Sequence, residues 1–268
     1  MKKIIIILTL NIVWAGTAQA APLTFNTALP ISKNEYILRE QLIISNSVGD
    51  LTETNIVSTL VYGVSPNFAV FGTIPYTNID SKTNDKQGIG NSKIFGRYTI
   101  YQNDFQGGTF RIAPFAGVKI PTNQDNIGTE SWDVFSGIVV TYGSVDWELD
   151  GQVSYQINTE SNQFEAGDVA RADISLQYRI LPLILNANTD SFINAVLEVN
   201  LIDTGQSKTN GISDLNSGGT TLFLAPGLQY VAERYIAEIG VQIPVIQNLN
   251  GTALENDYIF RTGLRINF

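Results

Sequence analysis

The chain ends in the twelve residues DYIFRTGLRINF, from Asp257 to Phe268, which alternate in character. Successive side chains of a β-strand point to opposite faces. One parity of this stretch is nearly all apolar or aromatic, whereas the other carries the guanidinium groups of Arg261 and Arg265. Such a strand suits the half-buried last strand of a soluble sandwich. It suits equally the closing strand of an outer-membrane barrel, whose apolar face meets lipid. The rest of the chain has to decide between these two folds.

The first twenty residues have the features of a secretory signal peptide. A positive MKK start is followed by an apolar run over residues 4–14 and by the small-x-small sequence AQA at 18–20. This pattern predicts Sec-type export with cleavage before Ala21. The apolar run is too short for a membrane-spanning helix. No Pro/Ser-rich linker divides the remainder, so the sequence predicts a signal peptide over 1–20 and one barrel domain over 21–268.

The composition narrows the possible functions. The chain contains no cysteine and no histidine, and its formal net charge is −9. The absence of cysteine excludes a disulfide framework and thiolate metal sites. The absence of histidine removes the commonest transition-metal ligand and the commonest general base. An acidic chain is also a poor partner for nucleic acid, which needs clustered lysine and arginine. We therefore predict a protein that is not an enzyme and has no cofactor or metal site.

Alternation with period two recurs throughout the chain, while helical periodicity is scarce. It predicts about twelve antiparallel strands. The eighth, Val169–Ile180, alternates apolar residues with polar ones such as Arg171 and Asp173. The fourth is predicted as one strand over Ser92–Tyr101. There is no run of about 18 apolar residues that would form a spanning helix.

The predicted connections alternate in length, which favours the barrel. Short connections are Ser65–Asn67, Gln102–Gly108, Gly143–Val145 and Val231–Arg234. Long polar ones are Thr77–Asn91, Thr122–Ser131, Asn158–Asp168, Asp203–Thr220 and Gln247–Asn256. Leu181–Ser191 is an exception, being long where a short turn is expected. Short periplasmic turns and longer extracellular loops are typical of outer-membrane barrels.

Aromatic residues collect at the strand ends rather than in the middle, where a sandwich core would need them. Those near the short-turn end are Tyr101, Phe110, Tyr142, Trp147, Tyr178, Tyr230, Tyr235 and Phe268. Those near the long-loop end are Tyr76, Trp132, Tyr155 and Tyr258. Two such belts indicate the two membrane–water interfaces. The sequence thus predicts an all-β, single-chain antiparallel transmembrane β-barrel in the bacterial outer membrane of a Gram-negative cell.

The polar parity carries the residues that we expect to line the lumen. They are Lys93, Arg97, Arg111, Lys119, Asp146, Glu148, Asp150, Arg171, Asp173, Arg179, Glu198, Glu238, Arg261 and Arg265. Opposite charges on adjacent strands can pair and fix the strand register. Alternatively, rings of charge set the selectivity of a solute path. The spacing of Asp146, Glu148 and Asp150 along one strand face also occurs between glycosidase carboxylates. Catalysis is therefore a third interpretation, which the commoner lumenal charge ladder disfavours.

Three stretches resemble a known family. They are GIGNSKIFGRY at 88–98, VKIPT at 118–122 and GTESWD at 128–133. The chain resembles the outer-membrane transporter-like family labelled for the meta-pathway of phenol degradation, with Asn91 departing from the family's usual aspartate. The resemblance implies a barrel that passes small solutes, hydrophobic or aromatic ones among them. Residues 21–34, before the first strand, are expected to be too short for a sizeable plug.

The leading functional prediction is a channel for passive passage of small solutes. The alternative is a non-conducting structural or surface-exposed barrel whose loops bind a partner. A continuous water-filled path favours the channel, and a lumen filled by side chains in every layer favours the alternative. The predicted partners are outer-membrane lipid and the barrel-assembly machinery, reached through the strand ending at Phe268.

Overall fold

The computed structural model describes residues 20–49, 51–81, 85–122, 127–184 and 189–268. All but the last residue of the predicted signal peptide therefore lie outside the described residues. In the described part of the chain no helix is long and apolar enough to cross a membrane. The regular structure there consists of β-strands.

The described residues form seventeen strands, of which twelve build one large barrel. They are β1 (Tyr36–Ser47), β2 (Leu51–Ser65), β3 (Phe68–Asp80), β4 (Lys86–Ile89), β5 (Ser92–Tyr98), β6 (Tyr101–Phe105), β7 (Gly108–Ile120), β8 (Asp133–Ser144), β9 (Trp147–Ile157), β10 (Phe164–Glu165), β11 (Val169–Leu181), β12 (Ser191–Thr204), β13 (Lys208–Thr209), β14 (Ile212–Ser213), β15 (Gly219–Ala232), β16 (Tyr235–Leu249) and β17 (Asn256–Asn267). The five short strands β4, β6, β10, β13 and β14 extend or decorate this barrel.

The barrel closes between its first and last strands. The neighbours run in order β1, β2, β3, β5, β7, β8, β9, β11, β12, β15, β16 and β17, every pair antiparallel, and β17 pairs back onto β1. The N–H of Phe268 donates to the carbonyl of Tyr36 at 2.8 Å, which completes the seam. Closure gives each of the twelve wall strands a hydrogen-bonded neighbour on both sides, as a wall inside lipid requires. The predicted twelve-stranded antiparallel barrel is confirmed.

The fourth predicted strand is broken, contrary to expectation. β5 ends at Tyr98 and β6 starts at Tyr101, and both pair with β7 on either side of Pro114. Proline has no N–H for the ladder, so it commonly marks an interruption. The N–H of Thr99 donates instead to the carbonyl of Asn67 at 2.8 Å. Because β6 continues as far as Phe105, the predicted turn Gln102–Gly108 is mostly strand.

The distribution of side chains is inverted relative to a soluble protein. Trp132 is 59% exposed on the outer surface, and the other belt residues from Tyr76 to Phe268 are exposed with few exceptions. Asp150, Asp173 and Glu198 are fully buried inside. Large exposed apolar surface on this scale marks contact with lipid, and buried polar groups mark the lumen. The soluble sandwich is thereby ruled out.

Several of the long loops carry strands of their own. β4 pairs with the upper part of β3, and β10, β13 and β14 form a separate three-stranded sheet. The ion pair between Lys208 and Glu165, at 3.0 Å, holds β13 to β10 and raises the pKa of Lys208. We refer below to this side of the barrel as the long-loop end and to the opposite side as the short-turn end.

Candidate functional site

A stretch of chain that precedes β1 lies inside the barrel. We call residues 21–34 the N-terminal segment. Leu23, Phe25 and Ala28 are almost completely buried, and so are most of the segment's other residues up to Ile31. Extended chain advances about 3.3 Å per residue, so even a short segment can run far across a lumen. The expectation that residues 21–34 are too short for a sizeable plug is therefore wrong.

The segment enters the lumen at the short-turn end beside a glycine. The N–H of Asn34 donates to the carbonyl of Gly63 at 2.7 Å. A Cβ atom at Gly63 would lie only 2.0 Å from the carbonyl oxygen of Ser32, so no other residue fits there without displacing the segment. Just inside, Ile31 packs against the apolar cluster that includes Val61 and Phe71. The barrel wall is thus shaped to admit the segment at this point.

Arg97 on β5 clamps the middle of the segment. Its two terminal nitrogens donate to the carbonyl oxygens of Thr27 and Leu29, the second at 2.6 Å. The guanidinium carbon also lies 5.2 Å from the centroid of the Phe71 ring. Arginine can make both bonds at once because its donors form a planar fork. The sequence predicts that Arg97 lines the lumen. In the structure its two terminal nitrogens bond to the segment.

Thr141 on β8 supports the same part of the segment. Its hydroxyl oxygen accepts a hydrogen bond from the N–H of Ala28 at 2.7 Å and lies 3.0 Å from the hydroxyl of Thr27. It also bonds to the carboxylate of Asp150, while Glu148 accepts a bond from Thr27 at 3.4 Å. Of the three acids with glycosidase-like spacing, Glu148 and Asp150 therefore face this stretch of the segment and Thr141, while Asp146 pairs with Arg179.

The N-terminal part of the segment, from Pro22 to Thr24, is held by charged side chains of β12 and β1. The carboxylate of Glu198 on β12 accepts bonds from the N–H of Leu23 at 2.6 Å and from the hydroxyl of Thr24 at 2.5 Å. Arg39 donates to the carbonyl of Pro22 at 2.9 Å and to Glu238 at 2.7 Å. The buried charges are thus each matched by hydrogen bonds, as burial in a low-dielectric interior demands.

The side chain of Leu23 fills a notch in the wall. Gly227 on β15 and Gly240 on β16 stand directly opposite each other in the ladder. A Cβ atom at Gly227 would lie 2.4 Å, and one at Gly240 would lie 2.7 Å, from the Cδ1 atom of Leu23. Next to this pair, at Pro226, the ladder between β15 and β16 is interrupted. Glycine inside a strand often marks such a close approach.

Most of the remaining predicted lumenal residues lie nearer to one end of the barrel than the segment does. Towards the long-loop end, Lys119 pairs with Asp133, Arg171 pairs with Asp173 at 3.2 Å, and Lys93 lies 5.6 Å from the Phe135 ring centroid. Towards the short-turn end, Arg111 pairs with Asp104 at 3.1 Å and Arg179 pairs with Asp146. Arg265 lines the space beside the segment, and Arg261 lies in the long-loop half.

Two larger spaces lie towards the two ends of the barrel, and the segment lines the one at the short-turn end. A cavity of about 590 Å³ opens at the long-loop end, and one of about 520 Å³, lined by Leu29 and Arg179 among others, opens at the short-turn end. Between the segment and the wall lies a smaller cavity of about 220 Å³, lined by Phe25, Phe71 and Phe95. Among the described residues no group of three or more acidic, histidine or cysteine side chains could hold a metal ion.

The sequence interpretation missed the residues that receive the segment. Thr141, Arg39, Gly63, Gly227 and Gly240 have no motif around them. The available signal was that the three glycines lie on the lumenal parity of predicted strands. Glycine weakens a strand, so its presence there can indicate that another part of the chain approaches closely.

Comparisons with known proteins agree with this fold. The sequence model of the family described as "Putative MetA-pathway of phenol degradation" matches residues 45–239. The chain belongs to this family. The suggested resemblance is therefore confirmed, and the match covers most of the barrel wall, from β1 into β16.

Two solved structures share the architecture of this family member. An outer membrane channel from Pseudomonas putida F1 is 12% identical, with a TM-score of 0.71, covering 93% of this chain and 100% of that chain. The NanC porin is 13% identical, with a TM-score of 0.54, covering 85% and 98% respectively. No curated protein matches the chain. The family member is a bacterial outer-membrane β-barrel, as predicted.

Proposed function

We propose that this protein is an outer-membrane channel that passes small solutes when the N-terminal segment leaves its place in the lumen. The observation that carries the proposal is the segment held in the lumen, with a cavity towards each end of the barrel. The segment is held by side-chain hydrogen bonds and a leucine notch rather than by strand pairing. Such contacts can open locally at lower free energy than a β-ladder in the barrel wall.

We infer that the solutes include small hydrophobic or aromatic molecules. The cavity beside the segment is lined by Phe25, Phe71 and Phe95, with the guanidinium of Arg97 at its edge. Its volume of about 220 Å³ exceeds the ~150 Å³ apolar cavity that holds benzene in an engineered protein. The family description, with its reference to phenol degradation, supports the same class of solute. The charged residues of the lumen would then set the selectivity of the path.

The non-conducting barrel remains the competing proposal. Closure of the lumen by the segment is compatible with it. So are the apolar side chains on the long loops, where Ile212 is 75% and Leu215 is 69% exposed. A surface that binds a partner often displays such residues. Neither of the two proposals gives the protein an enzymatic activity.

A disulfide lock distinguishes the two proposals. The hydroxyl oxygens of Thr27 and Thr141 lie 3.0 Å apart, so Thr27→Cys together with Thr141→Cys should cross-link the segment to the wall in a chain that has no other cysteine. We expect the oxidised protein to be silent in planar bilayers and conductance to appear after reduction. The two single-cysteine variants, which should not respond to reduction, are the controls.

Two outcomes of the lock experiment would count against a channel gated by the segment. Equal conductance before and after reduction would show that solutes pass without movement of the segment. Silence in both states, in the single-cysteine variants and in the unmodified protein would favour the non-conducting barrel.

We further propose that residues 1–20 direct export and are then removed, and that the barrel-assembly machinery inserts the chain through its last strand. Tyr36 and Phe268 exchange two backbone hydrogen bonds, at 2.8 and 3.2 Å, and the Phe268 ring faces outward. Deleting Phe268 should lower the heat-modifiable folded fraction in outer membranes by about twofold or more, because both bonds are lost. If the ring itself is recognised, Phe268→Ala should be equally impaired. Normal folded amounts of the deletion variant would reject this role.

A further inference from the structure

The cavity at the long-loop end combines apolar walls with arginine. It has a volume of about 590 Å³ and lies among the upper parts of β11, β12, β15, β16 and β17. Ile202, Phe223 and Ile259 contribute apolar surface, and Arg171 and Arg261 line the same space. The cavity lies on the far side of the N-terminal segment from the short-turn end, so a molecule in the external medium reaches it first.

The positive charges in this cavity are not fully matched. The Nη2 atom of Arg171 bonds to Asp173 at 3.2 Å, while its buried Nε atom has no hydrogen-bond partner among the described residues. Arg261 donates from Nε to the amide oxygen of Gln242 at 2.7 Å and forms no ion pair within the described part of the chain. Among the described residues Asp173 is thus the one carboxylate bonded to either guanidinium group, while Glu198 and Glu238 act on Arg261 without an ion pair. Asp173 is itself already shared with Asn200 at 3.0 Å.

This arrangement favours the binding of a carboxylate that carries an apolar group. An unmatched charge in a partly desolvated site is costly, and an anion that binds there relieves the cost. Guanidinium groups favour carboxylates because their forked donors match the two oxygens. Since Asp173 already bonds to Arg171, one further carboxylate within hydrogen-bond distance would give Arg261 a partner as well. The apolar wall on the other side suits an uncharged, apolar body.

We propose that this cavity is a binding site for small organic monocarboxylates. The carboxylate lies between Arg171 and Arg261, and the apolar body of the ligand contacts Ile202, Phe223 and Ile259. As the first binding site for incoming solute it rests on the proposed channel function, but binding itself is measurable without conduction.

The test is calorimetric titration of the purified full-length barrel in detergent with three probes: benzoate, benzyl alcohol and inorganic phosphate. We expect benzoate to bind, and benzyl alcohol and phosphate to bind at least tenfold more weakly. Arg261→Gln should weaken benzoate binding at least tenfold, because it removes the charge while leaving a donor for Gln242. Arg261→Lys should retain part of the affinity. Arg234→Gln, in a short turn remote from the cavity, should match the unmodified protein.

Four results would overturn the proposal. They are no benzoate binding to the unmodified protein, undiminished binding to a heat-modifiable, folded Arg261→Gln barrel, equal binding of benzyl alcohol, and equal binding of phosphate. The first two deny the site, the third denies the role of charge, and the fourth denies the role of the apolar wall. If the protein binds benzoate but never conducts, the binding site stands and only the channel proposal is contradicted.

Discussion

Replacing Arg97 by alanine is expected to raise the mean conductance of the protein in planar bilayers at least tenfold. The substitution removes both hydrogen bonds from Arg97 to the carbonyls of Thr27 and Leu29. Hydrogen bonds to charged groups contribute about 1.5–3 kcal/mol each, and about 1.4 kcal/mol corresponds to a factor of ten in a population. The carbonyls are also left without these donors inside the lumen. The segment should therefore leave its position far more often.

Arg179→Ala is the matched control for this experiment. Arg179 is another buried lumenal arginine, but it bonds to Asp146 and to the carbonyl of Pro182 rather than to the segment. It should leave conductance close to that of the unmodified protein. If Arg97→Ala conducts no better than Arg179→Ala, Arg97 serves only to fix the wall, and the clamp is not what keeps the lumen closed.

Gly240→Ala is expected to raise conductance severalfold, and Leu23→Ala in the same chain is expected to reverse much of that increase. The new methyl group would lie 2.7 Å from the Cδ1 atom of Leu23, and its next neighbour, the carbonyl oxygen of Pro226, is 3.2 Å away. Overpacking of this kind typically costs about 1–3 kcal/mol. Shortening Leu23 removes the clash while leaving its backbone bond to Glu198 in place.

The control for the notch is a glycine with free space around it. A Cβ atom at Gly72 on β3 would have no heavy atom within 4 Å, so Gly72→Ala should change nothing. Conductance is measured for Gly240→Ala, Leu23→Ala, the double variant and Gly72→Ala. The folded fraction of each is checked by its heat-modifiable mobility on gels. Additive effects of Gly240→Ala and Leu23→Ala, with no compensation in the double variant, would show that the two side chains do not meet.

The wall of the barrel was predictable because its signal is local. Lipid outside and polar lumen inside impose alternation on every strand, so the apolar and charged faces of Asp257–Phe268 could be read directly from the sequence. The break after Tyr98 was not predictable in this way. The break lies opposite Pro114 on the neighbouring strand β7. The sequence of β5 itself therefore gives no sign of it.

The N-terminal segment escaped prediction because nothing local encodes its position. Its partners are far away in sequence: Leu23 bonds to Glu198, 175 residues later, and Ala28 bonds to Thr141, 113 residues later. The odd positions from Leu23 to Ile31 are mostly apolar and the even ones are polar or small. Such a short alternation does not distinguish a segment inside the lumen from a strand of the wall. The lumenal position of Arg97 followed from its parity, but its role as a clamp required knowledge of what fills the lumen.

The most direct test of the account is thiol labelling at two positions of the segment. Ala28 is fully buried in the lumen, whereas Lys33 is exposed at the short-turn end, and the chain has no native cysteine. With purified folded barrel and a water-soluble maleimide, Lys33→Cys should label within minutes, while Ala28→Cys should stay unlabelled until the barrel is denatured. If Ala28→Cys labels as fast as Lys33→Cys, the segment does not lie in the lumen and cannot be what closes it.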